Sequence, residues 1–252
     1  MKSEINFGSR PNPLASGGLP RFPAVMRLVL ICLLFLSACG RPLTPMETAY
    51  LKALQGDQID TQKIRVVDGH FAGSYVYTIP VRPRTTCQER IWPPLEKERT
   101  VEVSPAASVI YNTMLFREDL YRDDLMEGWP TKIDLAQAML LAHESVHVWQ
   151  WQNRDRTGYT PLKALSEHTA SADPYLFDPD KTADFLSYGY EQQGSIVEEY
   201  VCCRLLDPAA PRTARLRAMI AQHMPVDGLD RVLGQGTVRL PWAGVQTEGI
   251  CR

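Results

Sequence analysis

The chain has 252 residues, 44% hydrophobic and 22% charged, with a formal net charge of −2, which is the composition of a globular protein rather than a disordered or fibrous one. Lysine and arginine are scattered along the chain instead of gathered on one periodic face, so nucleic acid is not an expected partner.

The first feature in chain order is an apolar run, Leu28 to Leu36 (LVLICLLFL), preceded by Arg21 and Arg27 and followed by Ser37, Ala38 and Cys39. The run is too short to span a bilayer as a mature helix and has the layout of a signal-peptide core. Residues 1–38 are therefore expected to be a signal peptide, with Met26 as a candidate true start. Leu36-Ser37-Ala38-Cys39 resembles a bacterial lipobox, and the resemblance implies that Cys39 becomes the lipidated first residue. Gly40 then implies no inner-membrane retention, so the expected location is the cell envelope, lipid-anchored in the outer membrane and facing the periplasm. Acyl chains would hold the protein there by about 0.8 kcal/mol per buried methylene. Residues 1–38 carry four of the 27 basic and one of the 29 acidic residues, which leaves the remainder at −5.

Residues 39–61 read as a lipidated N-terminus and tether with one short helix, Met46 to Leu54, after Pro42 and Pro45. The domain itself is expected over 62–252. It opens with a β-rich stretch: Ile64 to Val67, Tyr75 to Ile79, Val101 to Val103 and Ser108 to Phe116 are rich in β-branched and aromatic residues between Pro and Gly punctuation. Pro80 to Pro94 reads as a surface loop pinned by Cys87. From Thr131-Lys132-Ile133-Asp134, which has the form of a capping box, a long helix is predicted to about Asn153, since no Gly or Pro interrupts it. A short helix follows near Leu162 to Ser171, then a long one from Tyr190 to Leu206 ended by Asp207-Pro208, and another from Pro211 through His223.

After Cys39 the cysteines are Cys87, Cys202, Cys203 and Cys251, an even number with the wrong spacing for a Cys-x-x-Cys zinc site. Cys202 and Cys203 are neighbours on a predicted helix and point about 100° apart, so each can reach a different partner. Disulfides to Cys87 and Cys251 are expected, in either of two pairings.

The chemistry lies in His143-Glu144-Ser145-Val146-His147. Two histidines four apart on a helix share a face, so both imidazoles can reach one ion. Glu144 beside them can take a proton from a water activated by that ion. A third ligand is required. His168 and His223 are not at the spacing of a metzincin, whereas the helix from Tyr190 offers Glu191, Glu198 and Glu199. Glu191, Gly194 and Glu198 share one face, and Gly194 lets that helix approach closely. Glu191, Glu198 and Glu199 all stand as candidate third ligands, and one that is not a ligand can instead hydrogen-bond a ligating histidine. Tyr175, Tyr188, Tyr190 and His168 are candidate oxyanion donors, His70 stands in no motif, and Trp149 and Trp151 read as core.

Leu140 to Gln150, with its HExxHxxQ pattern, and Glu191-Gln192-Gln193-Gly194 together resemble bacterial zincin-like, gluzincin-type metallopeptidase domains over about residues 105–205. The resemblance implies an α+β fold with a small, mainly antiparallel sheet beside the HExxH helix and a second Glu-bearing helix. It implies Glu191 as the third ligand, with Glu198 or Glu199 as the alternative and Glu199 as the matching acidic residue eight positions on. It also implies Zn²⁺ as cofactor and hydrolysis of a peptide or protein substrate. Two other readings stand beside it: a non-catalytic zinc-containing binding or assembly lipoprotein, and an amidase acting on cell-wall peptide.

Overall fold

The structure, a computed structural model, describes residues 40–95, 99–232 and 236–252. The expected signal peptide and the lipidation site Cys39 lie outside these residues.

Strand β1 (Arg41–Pro42) leads into helix α1 (Pro45–Gln55), whose start is set by a reciprocal cap: Glu47 N donates to the Thr44 hydroxyl and Thr44 N to the Glu47 carboxylate. Glu47 also accepts from both terminal guanidinium nitrogens of Arg41 and from the amide of Leu125. Tyr50, Leu51 and Leu54 are fully buried, and the Tyr50 hydroxyl donates to Ala138 O at 2.8 Å. This corrects the expectation of a tether over residues 39–61. The apolar face of α1 needs cover, and it finds it in the core, so α1 is part of the compact unit.

The chain continues through β2 (Arg65–Asp68), β3 (Tyr77–Pro80), α2 (Cys87–Arg90), β4 (Thr100–Val103), β5 (Ala107–Ile110) and β6 (Thr113–Phe116). Four strands form one sheet in the order β1-β2-β6-β5, while β3 and β4 make a separate antiparallel ribbon. The fold is α+β, but its sheets are mixed rather than mainly antiparallel: β2 runs parallel to β6, and β1 and β5 pair antiparallel to their neighbours. After the β3–β4 ribbon the chain re-enters the sheet in β5, which runs opposite to β2, and the β5–β6 hairpin reverses it once more, so β6 runs parallel to β2.

One strand was expected over Ser108 to Phe116, and a hairpin is found. The chain reverses at Tyr111 with φ 58°, although no glycine marks the turn. The Tyr111 ring packs 4.5 Å from Trp151 and Gln152 donates to the Asn112 side chain, contacts that offset the cost of left-handed backbone.

Strand β7 (Lys132–Asp134) precedes α3 (Leu135–Gln152), α4 (Arg154–Thr157), α5 (Pro161–Ala170), α6 (Tyr190–Leu206), α7 (Pro211–Ile220), α8 (Asp227–Val232) and β8 (Thr237–Arg239), the last pairing parallel with β7. Asp134, not Thr131, caps α3, accepting from Gln137 N. α3 and α6 lie side by side through the core, and α1 covers α3 and α8.

Both cysteine bridges are present, as Cys87–Cys202 and Cys203–Cys251. The stretch from Pro80 to Pro94 is thus more than a surface loop: it holds α2, with Cys87 buried against α6. The bridges join residues 115 and 48 positions apart, and loop-closure entropy assigns each about 4 to 5 kcal/mol. Among the described residues no helix is long and apolar enough to cross a membrane.

Candidate metal centre

The centre is built where α3 and α6 are closest. α3 is buried along most of its length, so His143 and His147, a turn apart, project into protein rather than solvent. α6 begins at Gly189, which has no capping side chain; the carboxylate of Glu167 takes the place of one, receiving Tyr190 N at 2.8 Å and Glu191 N at 3.1 Å. One turn later comes Gly194. A Cβ there would lie 2.8 Å from Cε1 and Nε2 of His143, closer than carbon atoms pack, so the helix pair owes its approach to the missing side chain.

Glu191 Oε2 is 3.3 Å from His143 Nε2 and 3.2 Å from His147 Nε2, and the three groups offer ligand atoms all within 4.8 Å of one another. Bonds of 2.0–2.1 Å to a tetrahedral ion imply ligand–ligand edges of about 3.3 Å. The residues therefore fit a metal of zinc's size with no rearrangement of the Glu191 edges, and all three are buried.

The outer nitrogens are held as well. His143 Nδ1 lies 3.2 Å from Glu198 Oε2, and His147 Nδ1 2.9 Å from Gln150 Oε1. Gln150 in turn donates to Tyr190 O and Gln193 Oε1, and Gln193 donates to Tyr188 O. The chain of amides fixes the acceptor end of Gln150 toward His147, which places the proton on Nδ1 and leaves Nε2 free to ligate. Burial works against charge on His143, but Glu191 and Glu198 outweigh it and raise its pKa well above the usual value. Burial would lift Glu191; His147, His143 and His168 reverse this and hold it well below the carboxylate range. The carboxylate stays ionised, as a ligand must.

Glu144 is 5% exposed, and its Oε2 is buried without a hydrogen-bond partner. Burial pushes its pKa up. A buried carboxylate oxygen with no protein partner, on the residue next to His143, is free to accept a proton. Two cavities of about 510 and 610 Å³ meet at His143, Glu144, Tyr77, Ala107 and Tyr175. One extends over Arg82, Glu89 and Trp92 and the other over Phe71, Val109 and Leu165.

Of the other candidates, Glu198 meets His143, but Glu199 does not approach either histidine. Glu199 is fully buried on the far side of α6, receives Cys87 N and Gln88 N at 2.9 and 3.0 Å, and pairs with Arg212. Its expected part at the metal centre is corrected: it caps α2. Tyr175 stands over the centre with its ring 5.8 Å from those of His143 and His168. Tyr188 turns away and donates to Lys181 O, and Tyr190 packs on Tyr159. His168 reaches Glu191 rather than an open oxyanion position. His70 lies 2.5 Å from Ser108 Oγ on β5. Trp149 is core. The sulfurs of Cys87, Cys203 and Cys251 also cluster, but disulfide bonding occupies them. The parts played by Glu167 and Gln193 were not read from the sequence, because each acts through a backbone group or a second amide that only the tertiary fold brings near.

No family model and no curated protein matches the chain. Among solved structures it is similar to the effector domain of Pseudomonas aeruginosa VgrG2b, at 22% identity and a TM-score of 0.48, over 79% of this chain and 94% of that one.

Proposed function

We propose that the chain is a zinc-dependent peptidase with a zincin-like fold, in which His143, His147 and Glu191 hold the ion and Glu144 is the general base. The observation that carries this reading is the convergence of two imidazole nitrogens and one carboxylate oxygen beside the unpartnered oxygen of Glu144. A buried set of two nitrogens and one oxygen suits Zn²⁺ and leaves a position open. Bound there, the ion supplies Lewis acidity to a water molecule and to the carbonyl that the water attacks.

The remaining work belongs to the protein. Glu144 takes a proton as water oxygen adds to the peptide carbonyl carbon. It returns that proton to the amide nitrogen as the carbon–nitrogen bond breaks, releasing an acid and an amine. Its raised pKa suits both directions of transfer. Glu198 and Gln150 keep the two imidazoles from rotating. A peptide substrate is favoured by β5: it pairs with β6 on one side, is the outer strand of its sheet, and contributes Ala107 to both cavities. Such an edge can receive an extended chain by main-chain hydrogen bonds.

Incubation of the purified protein with a mixed peptide library tests this. Cleavage is expected, lost on chelation and restored by Zn²⁺. Undiminished cleavage by fully chelated protein would refute the proposal.

The apolar run before Leu36-Ser37-Ala38-Cys39 supports a second part of the reading, a lipid anchor at Cys39 that holds the domain at the outer membrane facing the periplasm. Two disulfides suit such an oxidising compartment. Cys39→Ser is expected to abolish acylation and release the protein from the membrane fraction. An acylated, membrane-bound mutant would remove the anchor from the account.

A further inference from the structure

Helix α5 is held in an unusual way. None of its residues is buried, and Leu162 and Leu165 are 77% and 62% exposed, so apolar burial contributes little to keeping it in place. Two adjacent polar side chains join it to the start of α6, and both reach Glu191. Glu167 receives the backbone amide of Glu191 and that of its neighbour Tyr190. His168 Nε2 lies 2.9 Å from Glu191 Oε1. Gly189 leaves room for this, since a Cβ there would sit 3.2 Å from both carboxylate oxygens of Glu167.

The contacts divide the two oxygens of Glu191. Oε2 faces both His143 and His147, and among the described residues Oε1 faces His168. We propose that His168 is a positioning residue for the third metal ligand, acting from α5: it donates to Oε1, fixes the rotation of the carboxylate, and so presents Oε2 to the ion. The proposal rests on the reading of Glu191 as a ligand. A ligand carboxylate left free to rotate presents either oxygen, and one left without a donor keeps a buried acceptor unsatisfied. Partners of this kind typically change metal affinity by about 10- to 100-fold. His168 is not itself placed as a ligand, because its nitrogen addresses the oxygen that Glu191 turns away from the histidine pair.

Zinc-competition titrations and Co²⁺ absorption spectra of wild type, His168→Ala and His168→Gln test the assignment. His168→Ala is expected to weaken zinc binding by about 10- to 100-fold. His168→Gln keeps an N–H donor and is expected to restore most of the affinity together with the wild-type Co²⁺ bands. Metal-free His168→Ala should unfold at a somewhat lower temperature, because Glu191 Oε1 loses its donor, and His168→Gln should recover most of that loss; thermal unfolding of each metal-free variant therefore shows that the affinity is measured on folded protein. Unchanged affinity in His168→Ala overturns the proposal. Equal loss in both variants, with altered Co²⁺ bands, also overturns it and makes His168 a ligand. If wild type itself binds neither metal, the reading of Glu191 fails and the proposal falls with it, an outcome distinct from either of these.

Discussion

Gly194→Ala is expected to cost the protein its metal site, with zinc affinity falling by about two orders of magnitude, the upper end of what a displaced ligand environment removes. On an exposed helix the same change would add about 1 kcal/mol of stability, because glycine is the poorer helix former. Here the new methyl carbon would start 2.8 Å from Cε1 and Nε2 of His143 and 3.0 Å from Cδ2. The imidazole cannot swing aside without leaving Glu198, which lies 3.2 Å from Nδ1. The alternative is that α6 backs away, and Glu191 goes with it. Either motion lengthens an edge of the ligand triangle, and overpacking of this kind costs about 1–3 kcal/mol in fold stability. Zinc-competition titration measures the first effect and denaturant unfolding of the metal-free protein the second. Wild-type affinity in Gly194→Ala would mean that the close helix approach plays no part in binding.

Glu144→Gln separates binding from chemistry. The amide keeps the size of the carboxylate and removes its basicity, so zinc content should match wild type while hydrolysis falls by about two orders of magnitude or more. The prediction follows from placement: Glu144 is buried and has an unpartnered oxygen, yet it is not among the three groups whose ligand atoms converge. Steady-state cleavage of any peptide the wild type hydrolyses provides the readout. If wild type and Glu144→Gln both bind zinc and both leave every peptide intact, the non-catalytic reading replaces the peptidase.

How much of this was legible in the sequence depends on the distance over which each decision is made. α6 runs from Tyr190 to Leu206 as read, because Gly189 and Asp207-Pro208 punctuate it locally. His143 and His147 face one point because the helical period requires it. Glu198 and Glu199 could have been told apart on the same ground. Seven residues after Glu191 the helix has returned to within about 20°, and eight residues after it is about 80° away, so Glu198 stays at the centre and Glu199 turns to α2.

Other features were not local. Residues 39–61 read as a tether because prolines precede the helix, and the Glu47 contacts that fold the helix in reach Leu125, far along the chain. The Tyr111 turn carries no glycine signal, since its backbone is held by Trp151 and Gln152 at the end of α3. His168 was read as a free donor, because nothing in its neighbourhood announces that α5 docks on the start of α6. The disulfide partners were legible and their pairing was not, because it depends on which side of α6 receives α2.

The metal centre is tested most directly by one measurement, the zinc stoichiometry and affinity of purified wild type beside His147→Ala and Glu191→Ala. The expected result is one tightly bound zinc per chain in wild type and none retained through dialysis by either variant, with Glu199→Gln still loaded. A wild type that binds no zinc, or a Glu191→Ala protein as fully loaded as wild type, would contradict it.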